Sequence, residues 1–392
     1  MNRKLLTATI LSMSLLTVMA GAAVAPALGA VRQYFSAESP LLIQFVVSMP
    51  ALFIILTNFC FPLLCRQWRT RTIAVIGLVL YVVAGAGAFF ANNIVILLLL
   101  RALLGVSVGM LMPLSTGLLA YYFPPEEMAR LMGLSAAMNQ MGGVVATLLA
   151  GILATISWNS AFLVYLIGLI ALVFVVLYLP NERLNSQADT ATAETHTYSK
   201  LAILRHFHPS IVGMLLLMTI FFVYPTNFAL VGSSLGLSVA WVTGIMVGLD
   251  VVAFFVGLIF GQLMRRFRTA IKYFAPVGFL SGYILMALFP SLGGMLAGSV
   301  LIGLANGVGV PYLNTIASIK GGRESTTTVM PMLSAALYLG QFISPLIVLP
   351  SARLLFPNMQ SGVWLVATGL TVLFLLQTFL TRRFHRLPPQ NN

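Results

Sequence analysis

The sequence predicts an all-α integral membrane protein, with twelve transmembrane helices in two pseudo-symmetric six-helix bundles. Three observations predict it. Of 392 residues, 59% are hydrophobic and 7% charged, against about 25% charged in a soluble domain. The apolar residues fall into runs of about 20, the length that crosses the hydrocarbon core as a helix. The chain also repeats itself about 199 residues apart, far too long a period for a solenoid unit and suited to a duplicated half-protein.

The runs lie at roughly 5–30, 41–64, 72–91, 94–122, 130–155, 160–180, 209–234, 237–264, 271–290, 293–318, 326–350 and 361–381. They lack the period-two alternation of an outer-membrane barrel, so the spans are helical. Span 1 begins with Arg3-Lys4 and ends in small residues at 21–25, as a signal peptide does. Its apolar run of about 26 residues exceeds a typical signal core, so it reads as an uncleaved span. Span 2 carries Cys60 and Cys65 near its inner end, read as two thiols in apolar surroundings rather than a disulfide or metal site. Pro124-Pro125-Glu126-Glu127 reads as the start of span 5, with proline in the first turn and acids at the positive end of the dipole.

The repeat is specific. Leu63-Leu64-Cys65-Arg66 returns as Leu263-Met264-Arg265-Arg266, and Arg69-Thr70 as Arg268-Thr269. Gly105, Gly109 and Pro113 of span 4 return as Gly303, Gly307 and Pro311 of span 10, and Leu134-Ser135-Ala136-Ala137 as Leu333-Ser334-Ala335-Ala336. Each Gly-x-x-x-Gly pair allows close helix approach, as does Gly257-x-x-x-Gly261 in span 8. Each proline is expected to kink its helix where a gate could bend. The long polar stretch 181–210 divides the chain into an N-terminal bundle (1–180), a cytoplasmic linker (181–208) and a C-terminal bundle with a short tail (209–392).

The formal net charge is +13. Its position argues against a nucleic-acid partner. With the N-terminus in the cytoplasm, all but Arg32, Arg101 and Arg353 of the 21 basic residues fall in cytoplasmic segments. This is the positive-inside pattern, with anionic lipid heads as the partner of those charges and both termini cytoplasmic. The expected location is a bacterial-type inner membrane, and the expected state a monomer.

Twelve spans, two repeated halves and a central linker resemble the major facilitator superfamily. That family's loop motif between spans 2 and 3 is Gly-x-Leu-x-Asp-Arg-x-Gly-Arg. Here it reads Phe61-Pro62-Leu63-Leu64-Cys65-Arg66-Gln67-Trp68-Arg69, keeping Leu63, Arg66 and Arg69 without the Asp. Its second copy keeps Gly261, Leu263 and Arg266. In the family that Asp helps latch the cytoplasmic ends, so Arg66 and Arg266 are left to bind helix carbonyls or to anchor to lipid. Arg101-Ala102-Leu103-Leu104-Gly105 resembles the Arg-x-x-x-Gly motif of the 12-span drug/proton antiporters. Span 5 lacks their Gly-Pro motif. The resemblance implies alternating access, no enzymatic activity, no cofactor and a proton gradient as energy source.

Ionisable groups inside a bilayer cost about 2.5–3.5 kcal/mol each on insertion scales. Two stand well inside the spans, Asp250 and Arg101, and they are the candidates for proton or substrate coupling. At the repeat's opening offsets Arg101 faces Ser299 and Asp250 faces Pro50, so each charge exists in one copy only. The candidate cavity residues are Asn58, Asn139, Gln140, Tyr224, Asn227, Asn306, Tyr338 and Gln341. Such a cavity, mostly apolar with few charges, suits lipophilic or weakly cationic small molecules, and the expected function is multidrug-type efflux. A facilitator or importer of a neutral solute, such as a sugar or nucleoside, is the rival; a non-transporting receptor is a remote third. Gly232-Ser233-Ser234-Leu235-Gly236 matches a hydrolase elbow, but every histidine lies at the cytoplasmic side, so an enzyme is rejected.

Overall fold

The computed structural model describes residues 3–182, 200–357, 359 and 361–381, and its regular elements there are all helical. These residues cluster into two compact units. One falls within Met1–Thr195 and Ser238–Gly244, the other within His196–Leu237 and Ile245–Asn392. Most of the predicted linker lies outside the described residues. The helix of span 7 begins at Lys200, inside the segment read as linker, and runs to Ser234.

Among the described residues, eleven segments are long and apolar enough to cross a membrane. The difference from twelve is at Val239–Leu288, which runs predicted spans 8 and 9 together over 50 residues. At about 1.5 Å per residue that is roughly 75 Å, more than twice a bilayer core. The chain turns at Arg268, whose φ of 44° is the one positive value among described non-glycine residues. Such a left-handed residue ends a helix. Spans 10 and 11 pose the converse case, a single helical stretch Leu292–Leu355 of 64 residues. A β-carbon on Gly309 would strike Leu217, and one on Gly340 would lie 2.6 Å from the Leu215 carbonyl. A straight helix would separate those glycines by about 47 Å. Both meet one short stretch of span 7, so the chain doubles back between them.

Span 1 is broken. Its helix Arg3–Ala22 gives way to a 3-10 turn at Ala25–Ala27 and a short helix Leu28–Tyr34. Pro26 has no N–H to continue the ladder, which explains the break. Below it Leu6, Ile10, Met13, Leu16 and Met19 are buried. The run is thus a packed member of its bundle.

The repeated glycines form the same seam in each unit. In the first, β-carbons on Gly105 and Gly109 would meet Pro50 and Thr57 of span 2, the latter at 2.6 Å. In the second, those on Gly303 and Gly307 would lie 2.7 Å from the Leu249 and Ala253 carbonyls of span 8. Pro113 and Pro311 each remove the N–H that would bond the carbonyl four residues earlier, on Gly109 and on Gly307. Both helices nevertheless continue through their prolines.

Gly257 and Gly261 correct an expectation. Neither has an atom within 4 Å of where a β-carbon would stand. The seam face of span 8 is Leu249, Val252, Ala253 and Val256, and Gly257 is turned about 100° from Val256. Gly307→Ala should therefore cost about 1–3 kcal/mol through overpacking. Gly257→Ala should be neutral or slightly stabilising, because alanine favours the helix by about 1 kcal/mol. Thermal unfolding of both variants in detergent checks the contrast; equal losses would mean the seam is misplaced.

Candidate functional site: two buried nodes in corresponding helices

Arg101 lies in span 4 and is fully buried. Its Nε donates to the Val46 carbonyl at 2.8 Å and its Nη1 to the Tyr165 hydroxyl at 2.7 Å. Its Nη2 donates to the Ala20 carbonyl at 2.5 Å. The acceptors have a local cause. Pro50 lacks the N–H that would bond Val46, four residues earlier, so that carbonyl is free. Ala20 sits in the last turn of the broken first helix, where carbonyls lose their intrahelical partners. Tyr165 also donates to the Ala20 carbonyl at 2.9 Å, and Tyr81 donates to the Leu16 carbonyl at 3.2 Å. Arg101 therefore joins spans 1, 2, 4 and 6. It was read as a candidate for proton or substrate coupling. In the structure its donors serve the Tyr165 hydroxyl and two carbonyls released by a proline and a helix end, and the side chain is fully buried.

The second unit builds the corresponding place without a cation. The Tyr224 and Ser299 hydroxyls are 2.8 Å apart, and Ser299 donates to the Met295 carbonyl at 2.7 Å. Tyr283 donates to the Ile220 carbonyl at 2.6 Å, as Tyr81 does in the first unit. Tyr283 stacks on Trp364 as Tyr81 meets Tyr165 edge-on. Asp250 is half-buried in span 8.

Seam contacts correct the register of Asp250. Pro50 and Thr57 correspond to Leu249 and Val256, a shift of 199, so Asp250 stands opposite Ala51 rather than Pro50. Leu249 has an N–H, and no carbonyl equivalent to that of Val46 is released.

The amide candidates disperse. Asn139 accepts a 2.6 Å bond from Thr17, and Ser135 donates to Ser14 at 2.7 Å, tying span 5 to span 1. Gln140 is exposed. Asn227 is buried and donates within its own helix, to the Val223 carbonyl. Gln341 reaches the Met218 sulfur at 3.8 Å. Tyr338 is half-buried. Asn58 and Asn306 each bury a side-chain oxygen that has no hydrogen-bond partner.

Arg66, Arg69 and Arg266 are exposed, and Gly261 with them. Among the described residues none of these arginines serves a carbonyl. The contacts fall to their neighbours. Arg71 donates to the Val176 carbonyl, and the Thr70 hydroxyl lies 3.1 Å from the Pro180 and Glu182 carbonyls. Tyr122 donates to the Glu182 carboxylate at 3.1 Å. Sequence reasoning missed Tyr81, Tyr165, Thr70, Arg71 and Tyr122. The available signal was a tyrosine near the same point of spans 3 and 9. Gly236, the last residue of the elbow-like match, has φ 76° and ends span 7, with Leu237 N–H on the Gly232 carbonyl at 2.9 Å. That match is a helix stop.

A family model described as Major Facilitator Superfamily matches residues 10–345. The quinolone resistance protein NorA of Staphylococcus aureus is 25% identical over 302 residues, covering 71% of this chain and 72% of its own. The multidrug transporter protein MdtP of Bacillus subtilis is 28% identical over 107 residues, which is 27% of this chain and 20% of that protein. The matched region therefore spans about a fifth of that relative. Among solved structures, a D-xylose-proton symporter superposes with TM-score 0.78 at 17% identity, covering 96% of this chain and 97% of its own. A bacterial homologue of the human lysosomal transporter Spinster, inward-facing and unoccupied, gives 0.77 at 15%, covering 98% of both chains. At these identities the structures share the fold.

Proposed function

We propose that this chain, which belongs to the Major Facilitator Superfamily and is an integral membrane transporter, works by alternating access as a proton-coupled exporter of lipophilic or weakly cationic small molecules. One observation carries the coupling reading: Asp250, a lone acid in mid-span. It stands about 17 Å from the start and 26 Å from the end of its helix Val239–Phe267. A short carboxylate at that depth cannot snorkel to water, so it faces a cavity, pairs with a base or is protonated, and each of these suits a titratable switch. Arg101 enters this reading as the fixed part of the machine, holding one bundle rigid.

The substrate class rests on the sparse amides and on names. NorA and MdtP are a quinolone resistance protein and a multidrug transporter, and their likeness to this chain supports efflux. The basic loops orient both termini to the cytoplasm and meet anionic lipid heads, with the chain a monomer in a bacterial-type inner membrane. Uptake of ethidium into proteoliposomes, with and without an imposed pH gradient, tests the reading. Gradient-dependent accumulation is the expected result. Gradient-independent equilibration of a sugar or nucleoside, without dye transport, would establish the facilitator instead.

A further inference from the structure

One place inside the bundles is apolar in the first unit and polar in the second. The Tyr81–Leu16 and Tyr283–Ile220 bonds align spans 1 and 7 at a shift of 204, so Ser210 takes the place of Leu6. The glycine seams align spans 4 and 10 at 198, so Gly309 and Tyr312 take the places of Leu111 and Leu114. The ring pairs align spans 6 and 12 at 199, so Thr378 takes the place of Leu179. All four leucines are buried. The first unit fills these places with hydrocarbon; the second puts three hydroxyls and a glycine there.

A cavity of about 10 Å³, the room of roughly one water, lies in the second unit between spans 7, 9, 10 and 12. Leu217, Lys272, Gly309, Tyr312, Gln377 and Thr378 line it. Lys272, in the 3-10 turn Arg268–Tyr273 that opens span 9, is nine-tenths buried. Its ammonium lies 5.0 Å from the centre of the Tyr273 ring. The Gln377 amide donates to the Pro209 carbonyl at 2.9 Å and has a second N–H to give. Thr378 gives its hydrogen to the Phe374 carbonyl at 2.9 Å and presents an oxygen.

Ser210 stands at the end of this cavity nearer the start of span 7. It lies about 20° round the helix from Leu217 and about one turn before Gly213. A β-carbon on Gly213 would be 3.8 Å from the Gln377 amide oxygen, so this face of span 7 meets span 12. Ser210 is fully buried, and among the described residues its hydroxyl has no hydrogen-bond partner. Buried hydroxyls are almost always paired, and an ordered water or an ion serves where no protein group does.

We propose that this cavity binds a compact monovalent anion of chloride size, held by the Lys272 ammonium with Ser210, Tyr312 and Gln377 as hydrogen donors. Charge selects an anion over a water. A lysine has donors and no acceptor, and a negative ion beside a buried ammonium offsets its desolvation. Among the described residues no carboxylate lines the cavity. The volume is too small for a phosphate. The ion closes a gap that the first unit fills with leucine, so it belongs to the fold of the second bundle. This role is independent of the coupling reading of Asp250.

Thermal unfolding of the full chain in detergent, with chloride replacing gluconate at constant ionic strength, tests the site. Chloride should stabilise the protein saturably, and bromide should reproduce the effect. Lys272→Met should weaken chloride about tenfold or more, the size of one charge-assisted hydrogen bond. Ser210→Ala should weaken it by less, and Arg353→Gln, which removes an exposed cation, should leave the response unchanged. Broadening of the chloride NMR line by the wild-type chain reads binding directly and does not depend on any variant folding. Saturable stabilisation and line broadening, both reduced in Lys272→Met, establish the site. A stability indifferent to the exchange of gluconate for chloride, or a response equal in Lys272→Met, Ser210→Ala and the parent, overturns it and assigns the cavity to a water.

Discussion

Asp250→Asn should abolish gradient-driven transport without weakening the fold. A carboxylate in the middle of a helix costs about 2.5–3.5 kcal/mol on insertion scales. The amide has nearly the same shape and carries no charge, so the variant should be at least as stable as the parent. Function and stability therefore move in opposite directions, as they do where a group is kept for its chemistry. Two measurements check this: ethidium accumulation under a pH gradient, and thermal unfolding in detergent. Accumulation should vanish while exchange of dye down its own gradient persists. If accumulation continues, the proton is carried elsewhere. If transport and stability both collapse, Asp250 is a structural contact.

The second large effect is on stability. Arg101→Leu removes three hydrogen bonds from a charged donor, each worth about 1.5–3 kcal/mol. Desolvation of the guanidinium offsets part of that. A net loss of about 2–5 kcal/mol is expected, since the Val46 carbonyl is left buried without a donor. The cause suggests a rescue. Pro50→Ala restores an N–H four residues after Val46 and closes that bond within span 2. In Arg101→Leu the added Pro50→Ala should recover about 1–2 kcal/mol. Alone it should be near neutral or mildly destabilising. A double-mutant cycle measured by denaturation in mixed micelles reads the coupling. Strict additivity would show that the proline and the arginine are independent.

The two expectations were legible to different degrees. Asp250 could be found from sequence because charge in an apolar run is a local signal. Arg101 could be found in the same way, but its role could not. Its acceptors lie 55, 64 and 81 residues away, and two of them are backbone carbonyls. No side-chain pattern records which carbonyls a proline or a helix end has released. The amide set fared similarly. Asn58 and Asn306 keep unpaired oxygens, whereas Asn139 binds Thr17 and Asn227 bonds within its own helix. The helical wheel allows either outcome, and neighbours decide it.

The glycines show where the division falls. Gly105, Gly109, Gly303 and Gly307 were identified by repetition, and each lies on a seam. Gly257 and Gly261 share their spacing but lack the repetition, and they face open space. Spacing alone states that close approach is allowed; recurrence in the duplicated half states that it is used.

By itself the sequence determined that this protein is a helical membrane chain, built twice, with one mid-span acid in its second half. Those properties depend on the length and polarity of local runs, which the bilayer reads one segment at a time. Tertiary structure alone decided which partners the buried groups serve. On a helix a slip of one residue turns a side chain by about 100°. The step from an offset of 200 to one of 199 therefore moved Asp250 from the place of Pro50 to that of Ala51. A repeat read by eye cannot fix register that finely; packing of glycine against backbone does.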